Sequence, residues 1–274
     1  MKRKGVDRAG TIWAVLAWAV GLVFFLPVGW TMLTGFKAES DAASNPPTLT
    51  FTPTLDQFRQ VFDRDVVPFL LNSLMASGFS TLLVLALALP AAYALSIRPV
   101  AKWRDALFFF ISTKMLPLAA VLLPVYLVVQ HLGMLDNVWT MVVLYTAMNL
   151  PLAVWMLRSF LLEVPAEVLE AAAIDGAGLM RTLRAVVLPM TSPGVAATAL
   201  LCFIFSWNEF FFAVNLTATR AGTAPVFLVG FISADGLFLA RLCAVATIIS
   251  LPVLIAGWLA QNKLVRGLSM GAIK

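Results

Sequence analysis

Apolar residues in this chain come in long blocks rather than in alternation with polar ones. A helix needs about 20 apolar residues to cross the hydrocarbon core of a bilayer. Six blocks reach that length, at about 11–36, 68–97, 106–132, 138–158, 194–216 and 241–261. Each predicts a transmembrane helix. The first block follows Lys2, Arg3, Lys4 and Arg8, a start that a signal peptide shares. A signal peptide's apolar core is only about 7–15 residues long, so the longer run here predicts a retained span. Prolines mark weak points within the blocks. Pro117 and Pro124 lie in the third. Asn149 and Pro151 predict a break near the middle of the fourth, because proline removes a backbone hydrogen bond and clashes with the preceding turn. Asn72, Ser73, Ser77 and Ser80 form a polar stripe on the second, a pattern that serves helix packing in membranes.

The connections differ in charge. Residues 37–67 hold three basic and five acidic side chains among several prolines. Gly133–Asn137 is a tight turn without a basic residue, and 217–240 carries Arg220 and Asp235. The longest charged island is 159–193. Its Pro165 suits a first helical position, and Glu167 complements the helix dipole. Leu169 and Ala171–Ala173 are strong helix formers, and Gly176 suits a left-handed stop. The pattern predicts a helix over 165–175, about 16 Å long. A second, over 179–188, is separated from the fifth block by Pro189 and Pro193. Composition alone makes this island a solvated loop between two spans.

The chain is 61% hydrophobic and only 12% charged, with mean hydropathy +0.92. Soluble domains are about a quarter charged, so the whole of 1–274 reads as one all-α integral membrane domain. Six spans put both termini on one side. That side carries thirteen Lys and Arg residues and the other five. Basic residues concentrate in the cytoplasm, so the termini and the island are expected there and 37–67 outside. The net charge of +5 reflects that bias rather than a nucleic-acid partner. Cys202 and Cys243 both lie in apolar runs and read as small buried hydrophobes.

The order of residues in the island carries more than its composition. Glu170-Ala171-Ala172, then Asp175-Gly176-Ala177, Leu188-Pro189 and Pro193 resemble the EAA loop of bacterial ABC importer permeases. Leu132–Asp136 resembles that family's L-G-L-L-D turn, Arg158-Ser159-Phe160 its R-x-F, and Trp207–Phe210 its W-N-E-F. Gly267–Lys274 resembles its closing G-L-T-x-G-A-V-K. The likeness is to the maltose-type carbohydrate branch. Gly236–Arg241 and Ile255–Trp258 look most like its sorbitol/mannitol permeases, against permeases for other carbohydrates such as a disaccharide or glycerol derivative.

The resemblance implies a six-helix, type I importer permease in the bacterial inner membrane. It also implies a homologous second permease, two ATPase subunits and an extracytoplasmic binding protein that delivers a sugar or polyol. The island would be the coupling-helix pair that docks on the ATPase, through Glu167, Glu170, Ala171, Ala172, Asp175, Gly176 and Ala177. In that family the Glu of EAA pairs with a basic group there and the Gly makes the turn between the helices. ATP would be bound by the partner subunits, so this chain would be no enzyme and would carry no cofactor or metal. The sequence agrees, since no Gly is followed by Lys and a phosphate-cradling P-loop requires that pair.

Polar groups inside the blocks are the remaining candidates. Ionisable residues in a span are costly and face a cavity or a partner. Lys114 is expected on the solute path, or paired with a carbonyl or a carboxylate of the second permease. Asn208 and Glu209, between Trp207 and Phe210, are expected to stack on and hydrogen-bond a sugar, against a role in bonding helices together. Asn149 joins them as a pathway candidate, although Asn149–Pro151 reads first as a kink. His131 is expected near the outer interface. An ion-coupled secondary transporter would show inverted repeats and buried acidic sites. A membrane enzyme would show a catalytic cluster near an interface. The sequence displays neither pattern.

Overall fold

Long apolar runs with few competing polar groups satisfy their backbone internally as helices, the form a lipid environment demands. The computed structural model describes residues 8–97, 100–233 and 236–271. The basic start Met1–Asp7, Arg98, Asp235 and Ala272–Lys274 of the closing motif lie outside the described residues. In chain order the helices are α1 (Arg8–Gly35), α2 (Glu39–Ala42), α3 (Asp56–Asp63), α4 (Val66–Ser96), α5 (Trp103–Lys114), α6 (Leu118–His131) and α7 (Val138–Leu161). Next come α8 (Ala166–Ile174), α9 (Leu179–Arg181), a π-helical turn (Thr182–Val187) and α10 (Leu188–Met190). The rest are α11 (Ser192–Trp207), α12 (Phe211–Leu216), α13 (Ala224–Val229) and α14 (Leu239–Gly271). A two-residue antiparallel pair, β1 (Ile232–Ser233) with β2 (Gly236–Leu237), interrupts the helical pattern.

Four helices are long and apolar enough to cross a membrane, or up to six if each of two bent pairs counts as one span. The bends correct the sequence expectation. The third block is not one helix: α5 and α6 meet at 91°. Pro117 starts α6 in extended geometry, φ −66° and ψ 125°, which halts the helix before it. The fourth block was expected to break at Asn149–Pro151, but α7 runs through Pro151 without interruption. The fifth block stops at Trp207 and resumes at Phe211. Pro189 does not separate the island from it: the helical run continues to Met190, and an 83° bend follows before Ser192.

The helices pack as two compact units. The first comprises residues up to Val66 with Leu228–Ser250. Here the Glu39 carboxylate accepts the N–H groups of Ala240 and Arg241, each at 3.0 Å, and so caps the start of α14. A Cβ at Gly35 would come within 3.1 Å of the Ala244 backbone, so glycine permits that approach. Lys37 is buried, donates from Nζ to the Thr48 carbonyl at 2.6 Å, and lies 4.5 Å from the Trp30 ring centre.

The second unit comprises Val67–Phe227 with Leu251 onward. One core cluster joins Val84, Ala88 and Ala92 of α4 to Leu157 and Leu161 of α7, Leu183 and Val187 of the π turn, and Cys202 of α11. A second joins Ala76 to Met141 and Tyr145 of α7 and to Phe212, Ala213 and Leu216 of α12. The first cluster anchors the charged island and the second anchors the broken end of the fifth block.

Candidate functional site: a two-helix island and an apolar cleft

The island is built by a helix stop that glycine makes possible. Gly176 has φ +72°, in the left-handed region where a Cβ is costly. Its N–H reaches the Ala173 carbonyl at 3.1 Å, and the Ala177 N–H reaches that of Ala172 at 2.9 Å. Those two bonds close a Schellman motif at the end of α8. The second helix starts at once, from Gly178, with the Thr182 N–H bonded to the Gly178 carbonyl at 2.9 Å. Ala172, Thr182, Leu183 and Val187 are buried and hold the pair to the protein. The opposite face is open: Glu167, Glu170, Ala171, Asp175, Arg181 and Arg184 are exposed. So are three large apolar side chains at the turn, Ile174 at 86%, Leu179 at 56% and Met180 at 58%. Ala177 is half-buried.

The R-x-F ahead of the island has a structural explanation. Arg158 Nε donates to the Leu95 carbonyl at 3.2 Å, and its guanidinium lies 4.8 Å from the Trp103 ring centre. Phe160 presses against Gly194, where any Cβ would overlap its ring.

The polar groups of the spans do not form a single constellation. Lys114 closes α5 at the 91° bend and is exposed on the rim of a cleft of about 350 Å³. Leu144, Met148 and Pro151 of α7 and Phe212 of α12 form other walls. Asn149, Trp207, Asn208 and Glu209 are not among the lining residues. Asn149 is buried between helices: its Nδ2 donates to Ser206 Oγ at 2.9 Å, which lies 3.1 Å from Ser80 Oγ. Trp207 is 2% exposed and stacks on Phe203 with ring centres 5.7 Å apart. Asn208 is exposed, with its amide turned back to the Ile204 carbonyl at 2.9 Å. Glu209 is buried, and its carboxylate accepts the N–H groups of Phe212 at 2.9 Å and Ala213 at 3.3 Å. It thereby serves the first turn of α12, a job that carboxylates do well because those donors lack helical partners.

Asn72 and its serines serve packing, as the stripe suggests. Asn72 Nδ2 donates to the carbonyls of Arg220 at 2.8 Å and Gly222 at 3.0 Å. Sequence reasoning gave no role to Asp136, whose carboxylate accepts four consecutive backbone N–H groups, from Ala218 to Ala221. Desolvation opposes its ionisation, but these four donors outweigh it and hold the carboxyl below the usual aspartate value. The signal available in sequence was an Asp closing a glycine-containing turn, a residue type that tolerates left-handed backbone.

Residues 85–265 match the family described as the binding-protein-dependent transport system inner membrane component. The chain is 31% identical to a trehalose transport system permease of Mycobacterium tuberculosis, over 97% of this chain and 98% of that one. It is 30% identical to a diacetylchitobiose uptake system permease of Streptomyces coelicolor, over the full length of both. Its fold is similar to a chain of a crystallised bacterial ABC transporter involved in import of the acidic polysaccharide alginate. That likeness has a TM-score of 0.73 at 22% identity, and covers 96% of this chain and 99% of the other.

Proposed function

The chain belongs to the family of inner membrane components of binding-protein-dependent transport systems, and we propose that it forms half of the translocation pathway of a carbohydrate importer. Such permeases are transport subunits and not enzymes themselves. Six spans, counting α5–α6 as one and α11–α12 as another, place both termini and the island in the cytoplasm. A second permease completes the pore, two ATPase subunits sit below, and an extracytoplasmic binding protein delivers the solute. ATP is bound by the ATPase subunits.

One observation carries the coupling assignment. The two-helix island turns its charged residues and Ile174, Leu179 and Met180 outward while burying only its base. An exposed apolar patch rimmed by charge is the signature of a docking surface. Glu170 faces a basic group of the ATPase, and Gly176 sets the angle between the helices. The experiment is ATP hydrolysis by the reconstituted importer, with and without loaded binding protein, for Glu170→Ala and Gly176→Val. Both variants are expected to insert normally and to lose stimulation and transport. Full stimulation and transport in both would reduce the island to a connector.

For the solute, the relatives named for trehalose and diacetylchitobiose support a neutral saccharide. The resemblance to sorbitol and mannitol permeases adds polyols as a second class. Competition of trehalose, diacetylchitobiose, sorbitol and mannitol for uptake separates the two. Competition by amino acids or metal ions alone would sink both.

A further inference from the structure

Trp103 opens α5 and carries two cations on its ring. The Arg104 guanidinium lies 5.2 Å from the ring centre, and that of Arg158, from α7, lies 4.8 Å from it. Arg158 commits Nε to the Leu95 carbonyl, and its other nitrogens have no partner among the described residues. Neither guanidinium is paired with a carboxylate among the described residues, although Asp105 stands in the same turn. Each cation is attracted to the indole, but the two repel one another. An anion placed between them would relieve that repulsion.

Next to Arg104 the surface turns apolar. A pocket of about 290 Å³ is lined by Trp103 and Arg104 at the start of α5, by Leu107, Phe108 and Ile111 further along it, and by Trp155 of α7. The Trp155 Nε1–H donates to the Leu107 carbonyl at 3.3 Å, which fixes the indole as a wall. Phe108 is 70% exposed and Ile111 41%, so the apolar lining opens outward. From Arg104 to Ile111 the helix advances about 10 Å. A soluble anion would use the guanidiniums and leave this lining wet. An apolar helix would cover the lining and leave the charges unpaired. A phospholipid with an anionic headgroup satisfies both parts at once, and indoles beside basic side chains are the usual furniture of a membrane interface.

We propose that Trp103, Arg104, Trp155 and Arg158 form a binding site for one anionic phospholipid of the cytoplasmic leaflet. Its phosphate lies on the two guanidiniums, whose planar donors suit phosphate oxygens, and an acyl chain lies against Leu107, Phe108 and Ile111. The choice of leaflet rests on the side assignment made under the proposed function, whereas the lipid contact does not.

The test uses the complete importer in neutral detergent, titrated with dioleoyl phosphatidylglycerol or dioleoyl phosphatidylcholine, with bound lipid counted by native mass spectrometry. Phosphatidylglycerol is expected to bind the wild type more tightly than phosphatidylcholine. Arg104→Gln should weaken phosphatidylglycerol binding about fivefold and leave phosphatidylcholine binding unchanged, while Arg104→Lys should keep most of the preference. Equal binding of the two lipids by the wild type overturns the inference, whichever protein then covers the guanidiniums. So does unchanged phosphatidylglycerol binding in Arg104→Gln, or an equal loss in Arg104→Lys. Ile111→Trp fills the apolar part and leaves both charges, and it should also weaken phosphatidylglycerol binding. Undiminished binding in that variant would make the ligand a free phosphate group and overturn the lipid site. Should Arg104→Gln fail to assemble, the wild type and Ile111→Trp decide. Ala101→Cys, in a chain with Cys202 and Cys243 changed to alanine, checks the side. Its labelling by an impermeant thiol reagent in intact cells overturns the topology and the choice of leaflet. No labelling, with unchanged phosphatidylglycerol binding in Arg104→Gln, overturns the inference alone.

Discussion

Glu209 shows what a single residue's identity leaves open. An acidic residue between aromatic neighbours in an apolar block reads as a pathway group, yet its carboxylate turns back on Phe212 and Ala213. The missing information was the break at Asn208–Phe210, because only a new helix start supplies free N–H donors for it to accept. Glu209→Ala should therefore cost about 1–2 kcal/mol, as loss of a helix-terminal acceptor does, and Glu209→Gln less. Thermal unfolding of the solubilised protein measures this. Unchanged stability with altered sugar competition would return Glu209 to the pathway. Asp136 gives a pH dependence of definite sign. Its carboxyl is depressed in the folded protein, so its contribution is fully present above the ordinary value of 3.8 and is lost as pH falls through the lowered one. Hydrogen exchange of the 218–221 amides, corrected for intrinsic rates, should stay protected at about pH 5 and lose protection only below 3.8. Loss already near neutrality would mean that another group controls the loop.

At the scale of elements, existence was legible and bending was not. The apolar blocks located α1, α4, α7 and α14 to within a few residues at most ends, because length and composition decide a span. The island's first helix and its stop at Gly176 followed from local chemistry, in which the Schellman bonds need only glycine's left-handed backbone. Prolines were ambiguous. Pro27, Pro90, Pro124, Pro151 and Pro252 all lie inside helices, while Pro117 stands at a 91° bend. Packing from neighbours can re-satisfy the carbonyls a proline frees, so the sequence alone cannot rank them. Pro117→Ala restores an N–H and lifts the bias of Leu116 toward extended backbone. It should let α5 run on into α6. Spin labels at the exposed positions Phe108 and Leu127 should then report a longer distance, with insertion intact and transport reduced. An unchanged distance would mean that packing, and not Pro117, sets the bend.

At the scale of the molecule, the charge pattern and the island point the same way from different physics. The Lys and Arg excess argues for the proposed placement of both termini and 159–193 on the cytoplasmic side. Independently, the island exposes charged and apolar groups together, as a docking surface for a soluble partner would. In the proposed topology the 133–137 turn that holds Asp136 is the third of five connections, so it shares a side with the first, 37–67, and the fifth, 217–240. That alternation requires α5–α6 and α11–α12 each to cross the bilayer, despite their breaks. If either pair were re-entrant instead, every later connection and the tail would change sides and the asymmetry of the basic residues would shrink. A cysteine at Ser44, one at Gln130 and one at Thr219 should all react with an impermeant thiol reagent in intact cells, and one at Ala166 only after the membrane is opened. Labelling at Ser44 without Gln130 would make α5–α6 re-entrant. Labelling at Ala166 in intact cells would remove the ATPase from reach of the island, and the coupling assignment with it.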